Sequence, residues 1–488
     1  MTWTHDLIVI GAGAAGLTAA GGAARLGLRV ALIERDRMGG ECLNTGCVPS
    51  KALIAAARRA HLLRSGCAMG VTAGEAAINF AGVRSHVRAA IAAIAPHDSA
   101  ERFQAWGVEV IHGQARFTGG RSVEVDGRHL AAPRIVVATG SRPAVPDVEG
   151  LQGVPYLTNE TLFELGELPR HLIILGAGAV GLEMAQAFHR LGSAVTVLDA
   201  GQALPRDDPD AAAAVLHQLV AEGVTIRGGT CALRVATAPG GIHVELTTGE
   251  AVTGSHLLVA VGRTASLDRL GLTAAGIEAT KAGIVVDHRR RTSNPHIMAI
   301  GDCREGPRLT HAAGYEGTLA VMNIALGLPV PADYAALPSV TYTDPELAQL
   351  GLTEAAARER HSQVQVQRVD FADNDRAVTE GVTAGFMKMV RVRGKLVGVT
   401  VVGAGAGELL LPWSLALRGK ASPWSISGAI VAYPTRSESS KALGFAAYEA
   451  LIFGRLACGW ARTLAALRRQ SRPGAAAFAA TPASADAD

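Results

Sequence analysis

The stretch DLIVIGAGAAG, residues 6–16, runs an apolar strand, Leu7 to Ile10, straight into Gly11, Gly13 and Gly16. An alanine-rich helical pattern follows, then a second apolar strand, VALIE, ending in Glu34. The whole arrangement recurs. HLIILGAGAVG, residues 171–181, carries Gly176, Gly178 and Gly181, and VTVLD ends in Asp199, so all four markers repeat at an offset of 165 residues. A single G-x-G-x-x-G is weak evidence. Two copies are specific when each lies between strand and helix and each has a carboxylate 18 residues past its last glycine. The first glycine permits the tight turn, the second lets backbone approach a pyrophosphate, and the third lets helix and strand pack closely. The helix N-terminus turns free N–H groups and a partial positive charge toward the phosphates, and the terminal carboxylate accepts from ribose hydroxyls. Two dinucleotide sites are therefore expected in one chain.

Composition agrees with a large multidomain chain. At 488 residues the chain has room for two to four domains of about 100–200 residues each. Hydrophobic residues make up 49% and aromatics only 4%, so the cores are expected to be aliphatic and alanine-rich. The net charge of +3, without a basic block interleaved with aromatics, argues against a nucleic-acid partner. No run of about 18 uncharged apolar residues is read, so no transmembrane span is expected. The N-terminus enters its first strand with no basic leader ahead of it, and a cytoplasmic location is expected.

Between the repeats, IVVATGSRP (135–143) reads as a buried strand ending in a glycine turn. LLVAVGR (257–263) and IMAIGDC (297–303) follow the second repeat. From about Leu337 the pattern changes to an α+β unit without further glycine loops, and the Pro/Ala/Ser-rich tail after 471 reads as disordered. Of six cysteines, Cys67, Cys231, Cys303 and Cys458 are scattered, and each is read by default as a small buried apolar residue. Cys42 and Cys47 differ. They lie in GGECLNTGCVPSK (39–51), close after the first glycine unit, and four intervening residues including a glycine can bring two sulfurs into bonding range. A disulfide closing so short a loop adds little stability, and a helix N-terminus lowers a thiol's pKa. A redox role is the favoured reading. Only six lysines occur among 46 basic residues, which makes Lys51 inside this motif conspicuous.

GGECLNTGCVPSK, the two glycine units, ATGSRP and AIGD together resemble the FAD-dependent pyridine nucleotide–disulfide oxidoreductases, a family that includes dihydrolipoamide dehydrogenase, glutathione reductase and mercuric reductase. The resemblance implies an α/β chain with two Rossmann-like, doubly wound dinucleotide-binding domains and a C-terminal α+β dimerisation domain. It places an FAD domain at 1–148 and 271–335, an NAD(P) domain at 149–270, the dimerisation domain at 336–450, and a helical then disordered tail at 451–488. By the same resemblance, electrons pass from a nicotinamide through FAD to a Cys42–Cys47 disulfide and on to a small-molecule acceptor. Cys47 is then the sulfur beside the flavin and Cys42 the interchange thiol. Glu34 binds the FAD ribose, Asp302 the ribitol chain, Ala115, Thr139 and Gly140 line the FAD, and Thr310 lies near the flavin. Lys51 sits near flavin N5, paired with Glu183, although an ordinary surface helix pair is the plainer reading of those two. Gly262, in LLVAVGR, is read as a further cofactor-binding residue. Asp199 favours NADH over NADPH, because a carboxylate repels a 2′-phosphate, while Arg206 lies near enough in sequence to answer one. No resident metal is expected.

The resemblance breaks at one residue. Family members that handle dithiols carry a His before Pro-Thr, followed by a Glu; here the run is Tyr433-Pro434-Thr435-Arg436-Ser437-Glu438. A phenol, with a reference pKa near 10 against about 6.5 for imidazole, is a poor base at neutral pH, which disfavours dihydrolipoamide. A Tyr at this place is similar to mercuric reductase, whose metal–thiolate substrate needs no such base. That family also ends in a vicinal Cys pair, often carries an N-terminal metal-binding module and uses NADPH; none of the three is read here. Tyr433 and Glu438 are implied to complete the partner subunit's site in a homodimer, against a plainer reading of Tyr433 as a packing phenol. His311 is a further candidate proton donor, or hydrogen-bonded structure. Residues 445–470 read as one helix with Arg455, Arg462, Arg468 and Arg469 among apolar residues, either packed on the dimer or lying on an anionic membrane surface. Three functions follow: a reductase of metal–thiolates or disulfides, a dihydrolipoyl dehydrogenase, and a flavoprotein sensor or membrane-surface partner without turnover.

Overall fold

A computed structural model of the chain describes residues 2–65, 69–71 and 77–470. Cys67 and the tail after 470 lie outside the described residues. The repeat seen in the sequence is a repeat of architecture. Leu7–Ile10 is the central strand of a five-stranded sheet, with Val30–Glu34 parallel on one side and Arg134–Val137 on the other. His171–Leu175 holds the same place in a second five-stranded sheet, between Ala194–Leu198 and His256–Val259. Even the register recurs: Leu7 faces Val30, and Leu172 faces Val195, the same pair displaced by 165 residues. All four residues of Leu7–Ile10 are buried, as expected of strands covered on both faces.

The glycines explain why the two loops are alike. Gly11 and Gly176 adopt φ of +104° and +109°, a region that L side chains rarely enter. A side chain on either would also overlap the carbonyl of the neighbouring strand end, Ala138 in one loop and Ala260 in the other. A Cβ at Gly16 would overlap the Gly11 carbonyl, and one at Gly181 the Gly176 carbonyl, so helix and strand are in backbone contact. Gly178, by contrast, has nothing within 4 Å of its missing Cβ. Three roles read from the sequence thus separate into two structural glycines and one that faces outward.

The C-terminal unit is a five-stranded antiparallel sheet in the order Pro338–Thr341, Glu346–Gly351, Lys395–Gly403, Phe386–Val392, Val364–Asp370. Its core is built on Trp413, Phe371, Met387 and Met389. Buried charge joins it to the second glycine unit: Lys388 donates to Asp208 at 2.9 Å and to Asp210 at 2.6 Å. Arg190 reaches Glu222 and, at 2.9 Å, Asp344.

Two expectations are corrected. Residues 445–470 are not one helix; Ser437–Ala446, Glu449–Ile452 and Arg455–Gln470 are separate, with breaks at Tyr448 and Gly454. Cys303 is buried as read, but Cys231 is exposed and Cys458 only half-buried. One segment, Glu449–Arg469, is also long and apolar enough by composition to cross a membrane, although arginines interrupt it.

Replacing Gly181 with Ala should lower thermal stability by an amount typical of overpacking, about 1–3 kcal/mol, whereas Gly178→Ala should leave it unchanged. Differential scanning calorimetry of the two variants checks this, and equal losses would contradict the separation of roles.

Candidate active site

The two cysteines are brought together by a turn that only a small residue permits. Cys42 lies on the short helix Gly40–Asn44, and Cys47 opens the helix Cys47–Ser65. A Cβ on Gly46 between them would press on the Glu41 carbonyl at 3.0 Å and on Cys42 Cα at 3.4 Å. Asn44 ties the loop by donating to the Met38 and Gly40 carbonyls at 3.0 and 2.8 Å. Neither sulfur is bonded to another. Cys47 Sγ lies 3.3 Å from the Thr310 hydroxyl. The hydrogen bond from Cys42, helped by Thr310 and by the charge on Lys51, pulls the Cys47 thiol down to about 6. Giving that hydrogen bond, together with burial, holds Cys42 far above the ordinary thiol range. At neutral pH one sulfur is a thiolate and the other carries the proton.

Lys51, one helical turn after Cys47, donates to Glu183 at 2.8 Å. Glu183 is buried on the second glycine-loop helix, Ala179–Leu191, and its other oxygen accepts the Tyr342 N–H at 2.9 Å. The Lys51 ammonium lies 4.4 Å from the centre of the Tyr342 ring. Neither residue is an ordinary surface helix pair, since they join the redox helix, the second glycine unit and the C-terminal sheet.

A second cluster went unread in the sequence, although its residues lie inside quoted motifs. Glu41, immediately before Cys42, accepts from Arg263 at 2.6 Å and from Asn159 at 2.9 Å. Arg263 also donates to the Ser141 hydroxyl at 2.7 Å, which in turn donates to Asp302 at 2.8 Å. Burial pushes Glu41 up to about 7, against the pull of Arg263. The signal that could have found this cluster is a carboxylate in GGE with a single arginine at the end of LLVAVGR.

The nucleotide loops show the same construction twice. Glu34 accepts the Ala12 N–H at 2.6 Å and the Asp36 N–H at 2.9 Å; Asp199 accepts the Ala177 N–H at 2.6 Å and the Gly201 N–H at 2.8 Å. Helices Ala14–Arg25 and Ala179–Leu191 have no side-chain cap at their N-termini, which leaves their first amides to a ligand. The outward Gly178 makes room beside its helix's amides, and Gly13 lies against Gly40 of the redox loop. Gly140 and Gly262, both at positive φ, also have open space where a side chain would be. The buried Thr139 hydroxyl has no hydrogen-bond partner among the described residues. Ala115 opens the strand Ala115–Gly119 with its side chain in the core, so only its backbone can face a ligand. These features fit two dinucleotides.

The C-terminal candidates are not brought to the sulfurs within one protomer. Tyr433 is 71% exposed and donates its hydroxyl to Asp375 at 2.8 Å, not to Glu438. That bond raises the phenol above its ordinary pKa. Glu438 instead accepts the Thr435 N–H at 3.3 Å. His311 donates to the Pro338 carbonyl at 2.8 Å, and among the described residues no group of three or more His, Cys, Asp or Glu side chains is placed to hold a metal.

Residues 5–317 match the family described as pyridine nucleotide-disulphide oxidoreductase, and residues 337–443 match its dimerisation domain. The chain belongs to this family. It is similar to the mercuric reductase of Streptomyces lividans, 37% identical over 83% of this chain and 88% of that protein. It is as similar to the dihydrolipoyl dehydrogenase of Bacillus subtilis, 36% identical over 89% and 94%. Among solved structures, LpdA from Mycobacterium tuberculosis superposes with a TM-score of 0.83 at 30% identity, covering 90% of this chain and 98% of that one. The Cu(II) complex of the HOCl-induced flavoprotein disulfide reductase RclA from Escherichia coli superposes at 0.81 and 27%, covering 90% and 99%. As a member of the pyridine nucleotide–disulfide oxidoreductases, the chain is a flavin-dependent enzyme that binds FAD and a pyridine nucleotide.

Because the Cys47 pKa is depressed, the thiolate is present above about 6 and is lost as pH falls through that value. Thiolate ultraviolet absorbance of the reduced enzyme should follow this midpoint. Cys42→Ala and Thr310→Val should each move it upward, toward the ordinary thiol range, and an unmoved midpoint in both would contradict the assignment.

Proposed function

We propose that the chain is an NADH-preferring flavin reductase whose acceptor is a soft-metal thiolate complex or a disulfide, working as a homodimer in a reducing, cytoplasmic setting. The domain limits given by the resemblance are retained: FAD at 1–148 and 271–335, nicotinamide at 149–270, dimerisation at 336–450. FAD held by the first glycine loop and Glu34 would supply two-electron transfer between the nicotinamide and the Cys42–Cys47 disulfide. The chain's own groups do the rest. Glu34 and Asp199 orient the ribose ends, and Asp302, Thr139 and Gly140 line the flavin dinucleotide. Lys51, fixed by Glu183, supplies a positive charge beside the Cys47 thiolate.

The observation that carries the choice of acceptor is the Tyr433–Asp375 hydrogen bond. A phenol whose proton is held by a carboxylate does not take a proton from an incoming dithiol. A metal–thiolate needs no such base: Cys42 sulfur bonds the metal as one thiolate leaves, and that thiolate takes the Cys42 proton. In sum, a metal bis-thiolate, NADH and one proton give the reduced metal, two thiols and NAD+. The mercuric reductase relatives support this reading, as does the solution of RclA as a Cu(II) complex. Tyr433 and Glu438 are assigned to the partner subunit's site, where a phenol serves as a metal-facing or positioning group. The nicotinamide preference rests on Asp199, because a carboxylate at the end of that strand repels a 2′-phosphate.

Dihydrolipoyl dehydrogenase is the second reading, favoured by relatives of equal identity. The two separate in turnover assays. NADH oxidation with Hg(II) bis-thiolate should far exceed NAD+ reduction by dihydrolipoamide, and Tyr433→His should raise the latter by roughly 100-fold, the low end for a positioned general base. Robust wild-type dihydrolipoamide turnover, unchanged by Tyr433→His, would overturn the proposal.

A further inference from the structure

The helix Arg455–Gln470 begins beyond the matched dimerisation domain, which ends at residue 443. Its residues sort into two faces. Leu456, Trp460, Leu464 and Leu467 recur at i, i+4, i+8 and i+11, on one side of a 3.6-residue helix. Arg455, Arg462 and Arg469 recur every seven residues on the other side. Most of the apolar side is open to solvent among the described residues: Leu456 is 91% exposed, Trp460 64% and Leu467 56%, while Leu464 is half-buried. Leu451 and Phe453, just before the helix, are exposed as well.

Charge decides what covers this face. Between Ala450 and Gln470 there are four arginines and no Asp or Glu. A helix made to pack on another protein helix usually carries both signs along its flanks, so that partners can pair. A single-signed basic face opposite Leu and Trp is the chemistry of a helix lying in the headgroup region of an anionic bilayer. A helix crossing the bilayer would bury Arg455 and Arg462 in hydrocarbon, where each charge is costly, whereas a helix in the interface leaves both at the headgroups.

We propose that the helix Arg455–Gln470 docks the enzyme on an anionic phospholipid surface, Leu456, Trp460, Leu464 and Leu467 entering the acyl boundary and Arg455, Arg462 and Arg469 meeting lipid phosphates. None of these residues belongs to the redox site, so docking and turnover are separable.

The test uses the full-chain holoenzyme and sedimentation with vesicles of phosphatidylcholine alone or of equal parts phosphatidylcholine and phosphatidylglycerol. The wild type should bind the mixed vesicles at least about 10-fold more tightly than the neutral ones, and less tightly as salt rises. The exposed pair Arg455→Gln/Arg462→Gln should weaken binding about 10- to 25-fold, near fivefold per arginine. Trp460→Glu should abolish binding, and both variants should keep wild-type NADH turnover in solution. Failure to bind the mixed vesicles, or equal binding to neutral ones, would overturn the proposal. So would dissociation of the homodimer by Trp460→Glu, which would assign the helix to the subunit interface.

Discussion

The site depends on one proton, which Cys42 lends to Cys47. While that hydrogen bond exists, the pair is asymmetric: a thiolate at the head of the helix Cys47–Ser65 and a protonated thiol one turn of loop away. The asymmetry assigns the two sulfurs different work without any separate acid or base. Thr310 and Lys51 deepen it from the other side. Lys51 can do so only because Glu183, buried and anchored by the Tyr342 amide, fixes its ammonium.

Keeping that geometry requires three sheets to hold their relative positions, and buried or half-buried charge does this at each junction. Lys51–Glu183 joins the redox helix to the second glycine unit. Arg190 with Asp344, and Lys388 with Asp208, join that unit to the C-terminal sheet. Glu41–Arg263 closes the redox loop against the strand that follows the second unit. Buried ion pairs add little net stability because their desolvation is costly. Breaking one leaves an uncompensated charge, so they discriminate strongly against misplaced domains.

The glycine loops were legible in the sequence because their physics is local: a positive φ, a backbone contact and a carboxylate 18 residues on all fall within one strand–helix–strand unit. The sulfur pair was legible for the same reason. The Glu183 partner of Lys51 lies 132 residues away and was reached only through the family resemblance. Glu41 and Arg263, 222 residues apart, were not paired at all, although both stood in quoted motifs. The partner of Tyr433 is not the near carboxylate Glu438 but Asp375, 58 residues upstream, a contact that no local pattern signals. The breaks at Tyr448 and Gly454 lie in a run whose alanine content hides them from periodicity.

The claim on which the rest stands is that Cys47 is the thiolate that faces the flavin. Anaerobic NADH titration of the purified enzyme measures this directly, through the long-wavelength absorbance that a thiolate gives against an oxidised flavin. The account predicts that the band grows in the wild type and persists in Cys42→Ser but is lost in Cys47→Ser. An identical band in Cys47→Ser, or a purified protein that carries no flavin, would contradict it.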